Sequence, residues 1–298
     1  MRVAVLASPD SWYLSDLQRA AGTQHEVVGV AFDRLTARLD SRGRSVAAAD
    51  RLLNDFDAVI VRTMPPGSLE QVVFRMDALG ALADAGIVVI NPPRAIEAAV
   101  DKYLASAKLH AAGLLTPRTL VCQSLTDALA GFRELGGDVV VKPLFGGEGR
   151  GIVRVNDEAL AWRVFSTLAQ FRSVIYLQEF LPHNGFDLRL LVLGEQVYGM
   201  RRVNPADWRT NVSRGARAEP YTPSSQQVET ARRAAAAIGA PFAGVDILPD
   251  RKGVEHVLEV NGVPGWKALS ATLHLDVAAL LLEYVQTLVR RREATRHS

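Results

Sequence analysis

Cysteine is nearly missing from this 298-residue chain, and Cys122 is the only one. An internal disulfide is therefore excluded, which fits a reducing cytoplasm. The thiol lies in TLVC, among apolar neighbours, as a buried structural thiol does. An excess of charge of one sign is also missing. Lys and Arg number 34 against 32 Asp and Glu, so no bulk field selects nucleic acid or a membrane surface. Long hydrophobic runs are lacking too. The apolar start of MRVAVLASPDSW is too short for a signal peptide and reads as a first strand. The stretch VAALLLEYVQTLV (277–289) is interrupted by Glu283 and reads as a packed helix. The remainder is 48% hydrophobic and 22% charged, an ordinary globular composition with length for two or three domains.

Four short runs, RVAVLA, EVVGVAF, DAVIVRT and IVVIN, are separated by helical patterns near 12–22 and 68–85. That wiring predicts a parallel α/β sheet over a first domain, 1–98. The polar stretch 33–55 reads as a loop and a short helix. The prolines of NPPRAI punctuate the first boundary. A second block, 99–181, opens on a helix in DKYLASAKLHAAG, with Asp101 at its start and Gly113 just past its end. Strand 118–122, helix 125–135, the strand VVVK, a glycine loop, another strand and helix 157–170 follow, ending in VIYLQEFLP. The third block, 182–298, begins with the hairpin DLRLLVLGEQVYGMRRV, turning at Gly194-Glu195. An irregular loop (204–217), an alanine-rich helix (224–239), a hairpin over 242–262 and a last helix (276–291) complete the chain.

The glycine loop in DVVVKPLFGGEGRGIV (138–153) excludes two familiar phosphate binders. A Walker A loop needs Lys-Ser/Thr after its last glycine, and here Lys142 precedes the glycines. The dinucleotide fingerprint fails because Ile152 stands where a glycine is required. What is left is a strand–loop–strand flap. Gly147, Gly149 and Gly151 let its backbone approach phosphates, and Lys142 supplies a point charge beside them. By itself the segment reads slightly better as a glycine-rich hairpin with a snorkelling lysine.

Three residues near the end sharpen the reading. Alternate side chains on a strand share a face, so Glu259 and Asn261 in VLEVN point one way, and Leu258 with Val260 the other. Asp246 interrupts the apolar strand GVDIL. A hairpin across RKGV (251–254) sets Asp246 opposite Glu259, with Cβ atoms about 5 Å apart. Two carboxylates that close repel unless a cation lies between them, and hard oxygen ligands suit Mg²⁺; the other reading, three polar residues on a solvent face, is disfavoured by their apolar flanks. A third group, Arg189, Arg201, Arg202, Arg209, Asn211 and Arg214, falls within 26 residues. Arginine forks suit phosphate and carboxylate oxygens, so as a group they are expected to hold anionic substrates.

In order, DK (101–102), VVVKP, the glycine loop, LQEF, DLRLLV, MRR…WRTN…RGA, GVDIL and LEVNGVPG resemble the ATP-grasp ligases, and most of all the RimK-type α-L-glutamate ligases. The resemblance covers about residues 99–292. It implies a mixed α/β and α+β fold, with a parallel pre-ATP-grasp domain preceding a two-lobed ATP-grasp domain. It places ATP between the lobes, with Lys102 and Lys142 on its phosphates. It puts Glu179, Phe180 and Leu181 beside the adenine, and Asp187 near the ribose. Arg209 and Asn211 would sit at the γ-phosphate and the reacting carboxylate, with Arg189 and Arg202 as catalytic cations. Asp246, Glu259 and Asn261 would hold two Mg²⁺ ions, with Mn²⁺ as a substitute. The implied reaction phosphorylates a carboxylate, and an amine then displaces the phosphate to leave an amide. The amine is that of glutamate, the acceptor a small-molecule carboxylate. Neither nucleic acid nor membrane is an expected partner, and a homo-oligomer is compatible.

Three departures from the family's pattern stand out. Phe145 and Gly147 replace an acid and a Ser/Thr in the flap, with Glu148 nearby. Met200 replaces a Glu before the paired arginines. NGVPGWKAL replaces N-x-S-P-G. Val263 and Trp266 are thereby expected to face the acceptor site. A tryptophan there can stack on a flat ring, which suggests glutamylation of a tetrahydromethanopterin-type cofactor. Other expectations are a ligase for another amino acid or a carrier protein. From a different class comes a non-catalytic ATP-binding regulatory protein. The presence of all three metal ligands and both lysines speaks against the last.

Overall fold

The computed structural model describes residues 1–296 except 42, 148, 213 and 214. Glu148 and Arg214 thus lie outside the described residues. The first domain contains β1 (Arg2–Leu6), α1 (Trp12–Ala21), β2 (Glu26–Val30), β3 (Leu35–Asp40), β4 (Gly43–Ala48), β5 (Arg51–Leu52), β6 (Ala58–Val61), α2 (Leu69–Asp84) and β7 (Val88–Ile90). Its parallel sheet has the order β2-β1-β6-β7. These are the four apolar runs read from the sequence. Segment 33–55 differs from expectation: it forms a separate antiparallel sheet, β3-β4-β5. Only Leu35, Val46 and Ala48 of β3 and β4 are buried, against α2 and its neighbours, and the remaining positions are exposed or half-buried. A sheet with one small apolar face carries too weak an alternation to be told from a polar loop.

The middle block holds α3 (Pro93–Val100), α4 (Lys102–Ala111), β8 (Thr119–Cys122), α5 (Leu125–Glu134), β9 (Val139–Lys142), β10 (Val153–Val155), α6 (Glu158–Gln170) and β11 (Ile175–Glu179). Asp101 caps α4 by accepting from Leu104 N at 3.0 Å, which makes Lys102 the first residue of the helix. The antiparallel sheet β10-β9-β11-β8 packs one face on α5 and α6. Val139, Val141, Ile175 and Leu177 enter that core. By the two-residue period, Val140, Lys142, Tyr176 and Gln178 lie on the opposite face.

The last block holds β12 (Phe186–Leu193), β13 (Gln196–Val203), β14 (Arg217–Tyr221), α7 (Ser225–Ile238), β15 (Phe242–Pro249), β16 (Glu255–Asn261), α8 (Lys267–Leu273) and α9 (Val277–Arg296). Its sheet runs β14-β13-β12-β15-β16. Leu188, Leu190, Val192, Val245 and Ile247 pack toward α7. On the other face Leu191, Leu193 and Phe242 join Val3, Val5 and Leu17 of the first domain, and α9 covers this shared core with Leu281, Leu282 and Val285. Among the described residues no single helix is long and apolar enough to cross a membrane.

Candidate active site

The β15–β16 hairpin pairs Asp246 with Glu259 and Gly244 with Asn261, as the sequence spacing requires. One expectation fails. A β-bulge falls between Asp246 and Ile247, so that Ile247 pairs with Val257 and Leu258 has no opposite residue. The extra residue resets the alternation. Leu258 joins Glu259 and Asn261 in lining the cleft, while Val257 and Val260 both enter the core.

The acidic pair is not symmetric. Asp246 accepts from Arg189 through both oxygens, with Arg189 Nη2 at 2.8 Å from Oδ2, and Arg202 Nη2 lies 3.0 Å from the same oxygen. Burial pushes Asp246 up, but the two guanidiniums outweigh it and hold its carboxyl below the usual range. Glu259 has no hydrogen-bond or ion-pair partner among the described residues. It lines two neighbouring cavities, of about 280 and 100 Å³. Asn261 donates Nδ2 to Gly244 O at 3.2 Å, which fixes its amide and leaves Oδ1 as an acceptor. The set fits Mg²⁺. A carboxylate offers about four lone-pair sites, and Asp246 uses three, so one remains beside the uncommitted oxygens of Glu259 and Asn261.

The cations stand across the cleft. Lys142 at the end of β9 donates to Gln178 Oε1 at 2.6 Å, and burial lowers its pKa to about 8. Gln178, 3% exposed, donates to Thr119 Oγ1 at 3.1 Å and Tyr176 Oη at 3.4 Å, and Tyr176 Oη is 2.8 Å from Ser106 Oγ on α4. A polar chain therefore links the strand of Lys142 to the helix of Lys102. Sequence reasoning missed it, because alternation in LQEF sets Gln178 opposite to Leu177 but only the pairing of Tyr176 with Lys142 and of Gln178 with Val140 puts it on the face of Lys142. Burial also lowers the pKa of Lys102, whose Nζ donates to Gly146 O at 2.6 Å.

The flap, between β9 and β10, turns at Gly149 and Gly151 with φ of 69° and 70°. A Cβ at Gly149 would lie 2.7 Å from Asn211 Oδ1, so the bare backbone packs on the loop carrying Arg209 and Asn211. Gly147 lines the larger cavity and Gly149 the smaller. Glu179, Phe180 and Leu181 line the smaller cavity. The Glu179 carboxylate is held by Arg118 N at 2.8 Å and Nε at 2.7 Å, and the N–H groups of Glu179 and Phe180 donate to Arg118 O and Asp138 O, each at 2.9 Å.

The arginine group is divided. Arg189 and Arg202 face the site, but Arg201 projects from the other face of β13 and pairs with Glu219 at 3.2 Å. Arg209 lines the smaller cavity with Asn211 and pairs with Asp207 at 2.6 Å. Asp187, expected at a ribose, is 2% exposed, and both its oxygens are engaged by Arg202 and Thr210. Burial raises its pKa against the pull of Arg202. Met200, 3% exposed, lies opposite Arg189 and joins the shared core.

Trp266 corrects the acceptor reading. It is fully buried, touches Tyr13 and Phe242, and donates Nε1 to Asp16 at 2.9 Å. The flat group on its face is Arg62, at 4.4 Å. Proximity in sequence to a cleft residue put Trp266 at the cleft, whereas the turn at Pro264-Gly265 carries it into the first domain. Val263 does line the larger cavity.

Residues 99–285 match the RimK-like ATP-grasp domain. The chain is 36% identical over 274 residues to a tetrahydromethanopterin:alpha-L-glutamate ligase of Methanosarcina acetivorans, covering 81% of this chain and 83% of that protein. It is 31% identical over 212 residues to an alpha-aminoadipate–LysW ligase, LysX, of Saccharolobus solfataricus, covering 69% and 77%. The ATP-grasp ligase PsnB, solved with a minimal precursor, Mg and ADP, superposes with a TM-score of 0.76 at 23% identity, covering 96% of this chain and 97% of that one. At that identity the likeness carries the fold.

Proposed function

The chain belongs to the RimK-like ATP-grasp family, and we propose that it joins L-glutamate to a small-molecule carboxylate acceptor, forming an amide at the expense of ATP. The observation that carries this reading is Glu259, an uncommitted carboxylate opposite Asp246, facing Lys102 and Lys142 across one cleft. Such a site neutralises a polyphosphate and positions it, and phosphoryl transfer asks little more of a protein.

In this proposal Lys142 and Lys102 hold phosphate oxygens, and the flap glycines cover them from the solvent side. The backbone of 179–181 meets the adenine edge. Asp246, Glu259 and Asn261 hold two Mg²⁺ ions, with Mn²⁺ able to replace them. Bound metal offsets charge on the transferring phosphoryl group. The acceptor carboxylate oxygen attacks the γ-phosphorus and ADP leaves. The glutamate amine then attacks the acyl carbon and expels inorganic phosphate. Asn211 meets the flap at Gly149 and lines the smaller cavity with Arg209; in this reading the two orient the acyl phosphate while the closed flap excludes water.

A second reading takes a tetrahydromethanopterin-type cofactor as acceptor, because the relative at 36% identity bears that name. Trp266 lends it no support. The test is a screen of carboxylate metabolites with L-glutamate, ATP and Mg²⁺, read by ADP release and by product mass. A product heavier than its acceptor by one glutamyl residue supports the proposal. ADP release that needs an amine other than glutamate overturns the choice of amino acid.

A further inference from the structure

Arg62 follows β6 at the carboxyl end of the parallel sheet and is 6% exposed. No carboxylate among the described residues pairs with it. Its guanidinium lies 4.4 Å from the Trp266 ring centre and 4.5 Å from that of Tyr13. Nη2 donates to Pro264 O at 2.8 Å, while Nε and Nη1 are buried without a partner. Burying a cation this way is costly, and what the arrangement achieves is a grip on one loop.

The loop is 262–266, the connection from Asn261 to α8, and the first domain and α3 seat it at almost every residue. Asn91, 1% exposed, donates Nδ2 to Phe242 O at 2.6 Å and to Gly262 O at 2.5 Å. A Cβ at Gly262 would lie 2.8 Å from Ala99 Cβ, and one at Gly265 would lie 2.5 Å from Tyr13 Oη. Trp266 is tied to Asp16. By contrast, among the described residues the Asn261 side chain makes a single hydrogen bond, the 3.2 Å contact to Gly244 O. The position of its amide therefore depends on the loop that leaves it.

We propose that Arg62, with Asn91, is a positioning residue for the metal end of β16, clamping residues 262–266 so that Asn261 and Val263 keep their places at the cleft. The proposal rests on the metal reading of Asp246, Glu259 and Asn261. It makes the first domain part of the catalytic apparatus, although none of these first-domain groups lines either cleft cavity.

The test is calorimetric titration of Mg²⁺ into the full-length protein saturated with a non-hydrolysable ATP analogue. Arg62→Met keeps bulk between the rings and removes the donor and the charge. Mg²⁺ affinity should fall about 10- to 100-fold, as for other groups that orient metal ligands. Analogue affinity without Mg²⁺ should stay at the parent value. Arg62→Lys keeps the charge and a donor nitrogen and should recover part of the loss. Gly265→Ala pushes the same loop from the Tyr13 side without touching Arg62, and should also weaken Mg²⁺. Adding Tyr13→Phe removes the obstructing hydroxyl and should restore binding. A lower melting temperature with parental Mg²⁺ affinity in Arg62→Met would overturn the proposal, as would parental affinity in Gly265→Ala. If the parent takes up no Mg²⁺ with nucleotide, the metal reading itself falls and this inference falls with it.

Discussion

Asp246 and Glu259 stand opposite one another across the β15–β16 hairpin, yet Asp246 is neutralised from within the chain by Arg189 and Arg202, whereas Glu259 has no partner among the described residues. The two carboxylates should therefore respond differently to substitution. Glu259→Gln removes a charge that no hydrogen bond or ion pair holds and that only partly offsets the charges of Lys142 and Lys102. Stability should change by less than about 1 kcal/mol, while turnover is nearly abolished. Denaturant melting and Mg²⁺-dependent ADP release on one preparation check both halves.

Asp246→Ala should behave in the opposite way with respect to stability. It strands Arg189 and leaves Arg202 with Asp187 alone. Removing one partner of a buried pair costs roughly 3–5 kcal/mol. A fall in unfolding free energy of that order by urea titration is the expected outcome, with activity lost as well.

The flap gives a third test. Gly149 has φ of 69°, and any Cβ there meets Asn211 Oδ1 at 2.7 Å. Gly149→Val combines left-handed strain with a collision, so the flap should seat badly over phosphates. ATP should bind more weakly, and more of it should be hydrolysed without amide formation. The ratio of ADP to amide product measures this directly.

Lys142 predicts a pH dependence. Its pKa is lowered from 10.5 to about 8 by burial, with Lys102 adding to the shift and Glu259 opposing it. In the unfolded chain the lysine stays protonated up to its ordinary value. The cost of burying its charge is therefore full below about pH 8 and is relieved as pH rises toward 10.5. Phosphate binding wants the charged form. kcat/KM for ATP should accordingly fall as pH rises through about 8. Lys142→Arg, whose side chain keeps its proton, should lose that limb whatever its absolute rate.

Trp266→Ala tests the correction to the acceptor site. Truncating a fully buried tryptophan costs about 3–5 kcal/mol, and here it also frees Asp16 and uncovers Arg62. The melting temperature should drop sharply, and apparent affinities for ATP and acceptor should suffer together. Loss confined to the acceptor would restore the stacking role.

The parts of the site fixed by strand periodicity were legible in the sequence. The facing of Asp246 and Glu259 and the two hairpins follow from spacing alone. Three features were not legible, each for its own reason. The bulge at Leu258 inserts one residue, and composition does not announce it. The sheet over 35–52 buries few side chains, so it lacks a hydrophobic period. The places of Trp266 and Arg62 depend on packing between residues some two hundred positions apart in the chain. The arginine group misled because adjacency in sequence sends Arg201 and Arg202 to opposite faces of one strand.

The central claim is that this cleft activates a carboxylate as an acyl phosphate. With the acceptor found by the screen, its carboxylate is labelled with heavy oxygen and one round of ligation is run with ATP, Mg²⁺ and L-glutamate. The account predicts that one labelled oxygen leaves in inorganic phosphate for each amide formed. Label appearing in AMP, or remaining wholly in the product while ADP accumulates, would contradict it.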